Sequence, residues 1–260
     1  LDEPATRRTS DNGVSDQTQT LIPEVVQPGD LTPLTRLVCT NAVYFEAAWK
    51  SEFDAEWTIP HEFDTGTARI EVPMMSQTGS FRYAEDGKTQ ILELPYTNDE
   101  TSMLVLLPEK GAERLPRLEE SLSGQQIETW TSRLEHNRVR VLLPRSRFRN
   151  RIELKELLTA MGMSDVFVYP RADLSGINGA SNGSIEDLYI AKAVHEAYVD
   201  VDEKGTRAAA ATFWGGAFGG GPRQPEPVDF TADHPFLFVI RENTTGCILF
   251  IGRVMNPNER

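Results

Sequence analysis

Positive charge is scarce in this chain: 26 Lys and Arg stand against 39 Asp and Glu over 260 residues, a formal charge of −13. Nucleic acids, anionic membranes and heparin-like polyanions all reward basic patches, so none of the three is expected as a partner. No run approaches the roughly 20 apolar residues of a membrane-spanning helix. The opening stretch, from Leu1 to about Gln19, is polar and carries neither an initiator Met nor a signal peptide, so it reads as a cut end. Histidine is sparse too, limited to His61, His136, His195 and His234. These are not clustered, none pairs with cysteine at ligand spacing, and neither a Gly-x-Ser-x-Gly elbow nor a His-Glu-x-x-His helix occurs. No hydrolytic or metal constellation remains, and the expectation is a protein that is not an enzyme, with no cofactor and no metal. Cys39 and Cys247 are too few for a disulfide framework; both lie in apolar, strand-like runs and are expected to be buried small hydrophobes.

The remaining pattern is globular and rich in sheet. Leu34 to Phe45 is a strand candidate, followed by the shorter runs Ile70–Met75 and Ser80–Tyr83. Gln90–Tyr96 and Met103–Pro108 flank the turn residues Thr97-Asn-Asp-Glu and predict a β-hairpin, and a second hairpin joins Pro235–Arg241 to Cys247–Val254. Ala112 to about Leu134 carries a broken amphipathic pattern that Gly124 divides into two helices, with Val139–Pro144 a strand after it. Ile152 to Met161 predicts a helix stopped by Gly162. Leu188 to Val201 alternates, with Ala193, His195, Ala197, Val199 and Val201 on an apolar face and Glu196, Tyr198, Asp200 and Asp202 on the other. A core histidine at 195 needs a hydrogen-bond partner from a neighbouring strand.

That strand runs directly into Glu203-Lys-Gly-Thr-Arg-Ala-Ala-Ala-Ala-Thr, and a glycine-rich stretch follows at 215–222. The alanines suit a helix by propensity, but the strand before them and the glycines after them argue otherwise. As a strand, the segment places Thr206, Ala208, Ala210 and Thr212 on one face, with Arg207 at the opposite phase pointing to solvent. A face this small could slide between two existing strands without a clash, so the loop holds a stored conformational change.

Further motifs accompany it in order. They are Asn41-Ala-Val-Tyr-Phe with Trp49-Lys, Val72-Pro-Met-Met, Leu94-Pro-Tyr, Leu106-Leu-Pro, Leu154-Lys-Glu-Leu-Leu with Met161-Gly-Met, and Ala172-Asp-Leu-Ser-Gly-Ile. His195-Glu-Ala-Tyr-Val-Asp-Val, Asp233-His-Pro-Phe-Leu-Phe and Phe250-Ile-Gly-Arg-Val-Met-Asn-Pro complete the set. From about residue 14 to the carboxyl terminus the chain resembles the serpins. The resemblance implies an α+β, multi-sheet fold of three β-sheets with surrounding helices and an exposed reactive-centre loop. It makes 1–260 the carboxyl-terminal two-thirds of a single serpin domain, here incomplete, with the hinge and loop at 203–229. Val14-Ser-Asp-Gln-Thr and Leu21-Ile-Pro-Glu resemble the end of the helix that crosses the main sheet. The portion that would precede it supplies most of the helices, and without it apolar sheet faces would be uncovered.

The function implied is that of a suicide substrate: the loop is cleaved, the protease is trapped covalently, and the loop enters the main sheet as a new strand. A serine protease of elastase, subtilisin or chymotrypsin type is the implied partner, with a cysteine protease as the alternative. Gly205 resembles the hinge glycine, and Glu203 and Arg145 resemble an acid–base pair where insertion begins, Arg standing where the family more often has Lys. Trp49 resembles a tryptophan of the same region. Asn41 and His195 resemble the polar pair that parts when the sheet opens. Counting from the hinge puts the scissile bond at Gly219-Gly220, next to Phe218; counting back from Phe230 puts it at Gly221-Pro222, where the proline disfavours cleavage. The family also suggests an extracellular or periplasmic location. The competing reading is a non-inhibitory serpin-like binding module or an inactive fragment.

Overall fold

The computed structural model describes residues 3–179, 187–206 and 226–259. In chain order the elements are α1 (Glu3–Gln17), β1 (Leu37–Tyr44), β2 (Ala47–Ala48), β3 (Ile59–Asp64), β4 (Arg69–Asp86), β5 (Thr89–Pro95) and β6 (Thr101–Pro108). Then come α2 (Arg114–Ser121), α3 (Gly124–Arg133), β7 (Glu135–Pro144), β8 (Ser146–Glu153), α4 (Leu154–Ala160) and α5 (Ser175–Asn178). The last are β9 (Ile190–Asp202), β10 (Gly205–Thr206), β11 (Val228–Thr231), β12 (Phe236–Glu242) and β13 (Ile248–Val254). The elements form an α+β, multi-sheet architecture in two compact units, Leu1–Phe45 with Phe148–Val199 and Glu46–Arg147 with Asp200–Arg260.

In the first unit β1 and β9 pair in parallel, with Val38 opposite Lys192, Thr40 opposite Val194 and Asn41 opposite His195. β8 also pairs with β9. Because strand side chains alternate, the even-numbered residues of β1 and β9 share one face. That face is covered: Val25, Val26, Leu31 and Val194 form a small core, with Val14 of α1 and Val38 packed against it. This reverses part of the expected burial along β9. Glu196 is 1% exposed and Tyr198 is buried, whereas His195 and Ala197, expected on the core face, are only half-buried. The physical cause is that the covering helix and loop pack on the face of Lys192, Val194 and Glu196. The same asymmetry overturns the expected burial of Cys39, which is exposed on the other face of β1.

The second unit is built on an eight-stranded sheet in the order β11-β7-β4-β5-β6-β12-β13, with β3 paired to β4. β11 and β7 are parallel, and the other pairs are antiparallel. Both expected hairpins are present, β5–β6 and β12–β13. The two runs read as separate strands, Ile70–Met75 and Ser80–Tyr83, are one strand, β4. Pro73 does not break it because the ladder with β7 starts at the next residue, Met74, so the missing donor falls at a ladder end. Hydrogen bonding therefore gathers into one network strands that a three-sheet description would divide, since β4 pairs with β3 near its start and with β5 near its end.

Local chemistry accounts for the helices. Ser123, in extended conformation, accepts from Gln126 N and caps α3, so Gly124 opens the second helix just after the break. Leu115 and Leu118 of α2, and Ile127 and Trp130 of α3, pack on Ile91, Leu104, Leu106, Leu237 and Val239 of the sheet. Trp130 also donates from Nε1 to Asp86 Oδ2 at 2.6 Å. The helix expected over Ile152–Met161 is shorter, Leu154–Ala160: Ile152 belongs to β8, and Gly162 leaves the helix end at φ +98°. Cys247 is exposed, contrary to expectation. It sits in the β12–β13 turn, just ahead of β13, where its N–H donates to Thr245 Oγ1 at 3.2 Å. β13 itself exposes Ile248, Leu249 and Ile251.

Candidate functional site

The segment expected as the hinge begins as a tight turn in the second unit. Asp202 Oδ1 accepts from the N–H groups of Lys204 and Gly205 at 2.9 and 3.2 Å, which reverses the chain. The next two residues, β10, then pair antiparallel with Asp202 and Val201 on one side and with β2 on the other. Trp49 holds the outside of the turn. Its backbone N–H donates to Lys204 O and its indole Nε1 to Asp202 O, each at 2.9 Å, and its ring stacks on Tyr96 at 4.6 Å. Trp49 is 1% exposed, so an aromatic plate closes this corner.

Gly205 is dictated by close approach. Its φ is +152°, and a Cβ there would stand 2.2 Å from Ala47 O and 2.6 Å from Ala48 Cα. Thr206 follows at 0% exposure, with its hydroxyl 2.8 Å from Tyr96 Oη. Burial pushes the Tyr96 phenol far above its usual range, the Thr206 bond opposing it weakly, so the pair is a neutral hydrogen bond. Thr206 is thus a small side chain facing inward.

Glu203 and Arg145 meet. The guanidinium reaches Glu203 Oε1 through Nε at 2.6 Å and through a terminal nitrogen at 2.5 Å, and Thr58 donates its hydroxyl to the same oxygen. Glu203 is 7% exposed. Burial pushes its carboxyl upward, but the bonds from Arg145 and Thr58 outweigh burial and hold it below the ordinary glutamate range, so it is ionised. The Arg fork makes two contacts where Lys would bring one point charge. Of the expected site residues, Glu203, Gly205, Thr206, Trp49 and Arg145 thus come together around one turn.

Asn41 and His195 meet in the first unit. They face each other across the β1–β9 ladder with Asn41 Nδ2 3.1 Å from His195 Nδ1. The partner required for His195 is therefore present, on a half-open face. Ala208, Ala210 and Thr212, and the scissile-bond candidates Phe218, Gly219 and Gly220, lie outside the described residues, as do Arg207 and the Gly221-Pro222 alternative.

Sequence reasoning paired Glu203 with Arg145 and Asn41 with His195, but it missed Thr58 as the second partner of Glu203 and Tyr96 as the partner of Thr206. Thr58 and Tyr96 gave no local signal. A row of arginines did: Arg145, Arg147, Arg149 and Arg151 recur with the strand period of two. Arg147 pairs with Asp200 at 2.8 Å within the second unit, and Arg149 with Glu196 within the first. Arg151 reaches Asp30 at 2.8 Å, and Lys192 bonds the other oxygen of the same carboxylate. Among the described residues no group of three or more His, Cys, Asp and Glu side chains could hold a metal ion.

The family model described as Serpin (serine protease inhibitor) matches residues 1–257. The chain belongs to the serpin family. It is 40% identical over 259 residues to the leukocyte elastase inhibitor of Homo sapiens, covering 96% of this chain and 66% of that protein. An uncharacterized serpin-like protein of Thermococcus kodakarensis is 42% identical over 246 residues, covering 95% of this chain and 55% of that protein. Uncleaved ovalbumin superposes with a TM-score of 0.84 at 34% identity, over 98% of this chain and 63% of its own. A structure of native protease nexin-1 with heparin superposes with a TM-score of 0.85 at 30% identity, over 98% of this chain and 67% of its own. The chain thus spans between about half and two thirds of the length of the curated relatives it matches, 55% and 66% for these two.

Proposed function

We propose that this chain acts as a serine protease inhibitor by suicide substrate: cleavage in the 207–225 segment, covalent trapping of the protease, and insertion of the hinge as a new strand between β1 and β9. One observation carries this reading. Gly205 and Thr206 are already a strand, paired on both sides and buried, and the residues that continue the Thr206 phase are Ala208, Ala210 and Thr212. An added strand gains ladder hydrogen bonds and buries small apolar side chains without displacing larger ones. The native state is then metastable, separated from the inserted one by a barrier. The protein contributes no catalytic group; the attacking nucleophile is the protease's own.

The partner is a serine protease of elastase, subtilisin or chymotrypsin type, the first supported by relatives named leukocyte elastase inhibitor. Mixing the full-length protein with a panel of such proteases should give a protein–protease band that survives denaturing electrophoresis. Cleaved inhibitor beside fully active protease would sink the inhibitory reading and favour a non-inhibitory binding module. Ala208→Glu should turn the inhibitor into a substrate, because a charge would have to enter the sheet core; an unchanged stoichiometry of inhibition would count against insertion.

A further inference from the structure

Positive charge is scarce in the chain, yet one cavity of the second unit holds more of it than the acids beside it can pair. The cavity, of about 390 Å³, is lined by Lys50, Arg82 of β4, Glu93 of β5, Asp99 and Arg241 of β12. Strand alternation puts Arg241 on the face of Leu237 and Val239, and Glu93 on the face of Ile91, all three in the core that α2 and α3 cover. The apolar pattern of that face therefore ends in a buried acid and a buried base. Glu93 is 5% exposed and Arg241 is 8% exposed.

Two of the three cations are matched. Lys50 Nζ donates to both carboxylate oxygens of Asp99 at 2.6 and 2.7 Å, and Arg82 donates to Glu93 Oε2 at 2.6 Å and to Thr131 O at 3.0 Å. Arg241 is left over. Among the described residues its one bond runs from a terminal nitrogen to Glu93 Oε1 at 3.4 Å, and its Nε is enclosed without an acceptor. A guanidinium carries five N–H donors, and a buried charge that lacks its acceptors is costly. Three cations against two carboxylates leave one positive charge, and the exposed His136 that also lines the cavity brings no acid to offset it.

We propose that this cavity is a binding site for a small organic monocarboxylate, with Arg241 as the group that takes the carboxylate. A planar fork of donors matches the two oxygens of such a group. One surplus positive charge suits a monoanion, whereas a phosphate dianion would exceed it. The volume asks for carbon as well as charge, since a water-sized ion needs only about 30 Å³ and small-molecule pockets begin at about 300 Å³. The site uses none of the hinge groups, so it stands or falls independently of protease inhibition.

Titration calorimetry of the full-length protein with benzoate as the probe tests this assignment. Benzoate should bind one-to-one and saturably, and benzamide, a neutral molecule of the same shape, at least about tenfold more weakly, the effect of one lost charge-assisted contact. Arg241→Gln should lower benzoate affinity by a similar factor. Asp99→Asn frees Lys50 and should tighten benzoate about threefold, the size of one exposed ion pair; asparagine tolerates the φ of +57° at that position. Should Arg241→Gln fail to fold, the benzamide comparison and Asp99→Asn decide the matter. Equal affinity for benzoate and benzamide would overturn the site, as would unchanged benzoate affinity in folded Arg241→Gln, or no saturable binding at millimolar benzoate. Inorganic phosphate binding more tightly than benzoate would overturn the monocarboxylate assignment.

Discussion

At Gly205 the backbone of β2 approaches so closely that a methyl group has nowhere to go. Gly205→Ala should cost about 2–3 kcal/mol, the cost of a forced backbone conformation plus local displacement, measured as a lower denaturant midpoint at constant slope. The Glu203 carboxyl makes a different contribution, through charge. Its folded-state affinity for protons is held below the ordinary value of 4.5 by Arg145 and Thr58. The stability this gives is present above that ordinary value and is lost as pH falls through the lower, folded-state value. The gap in stability between wild type and Glu203→Gln should therefore close as the pH drops below 4.5, read from denaturation series across the acid range. At neutral pH, Arg145→Ala should cost about 1–2 kcal/mol, with Arg145→Lys costing less because it keeps the charge and loses only the fork. Glu203, Arg145, Gly205 and Trp49 could each be singled out from the sequence. That all four close on one turn together with Thr58 and Tyr96 could not, because Tyr96 and Thr206 are 110 residues apart in the chain.

Among the elements, the sheet strands follow their sequence signals most closely, since alternation and turn residues are local properties. β5–β6 and β12–β13 are hairpins for that reason. β4 shows the limit: Pro73 and Gly79 look like interruptions, yet each falls where a neighbour tolerates it. Gly79 stands opposite Val139, and a Cβ there would meet the ring of Phe81 at 3.0 Å, so the small residue makes room for an aromatic. β8 carries a signal of another kind. Its arginines repeat every second residue, and a sheet that brings Asp200 and Glu196 opposite them turns the repeat into ion pairs. The helices depend more on their ends. Ser123→Ala should destabilise by about 1 kcal/mol through loss of the α3 cap, checked by thermal melting. Because α3 packs on the sheet core through Ile127 and Trp130, that loss should lower the melting temperature of the second unit as a whole.

For the molecule as a whole, the proposed mechanism turns on the segment that follows Thr206. If the hinge enters the β1–β9 seam after cleavage, the product gains a buried strand that the intact chain lacks. Limited proteolysis within 207–225 should then raise the melting temperature by about 10 °C or more, several kcal/mol being worth that much in a domain of this size. An unchanged or lower melting temperature would mean that the cut loop stays out. The sequence by itself determined the alternation of the small residues after Thr206 and the glycine that precedes them, because each follows from residue type and spacing. Only the tertiary structure decided which further groups meet: that Thr58 joins Arg145 on Glu203, that Thr206 rests on Tyr96, and that Asp30 takes Lys192 and Arg151. The physical reason is distance along the chain. Periodicity is written locally, whereas an ion pair between residues 30 and 192 exists only once the strands that carry its neighbours have paired.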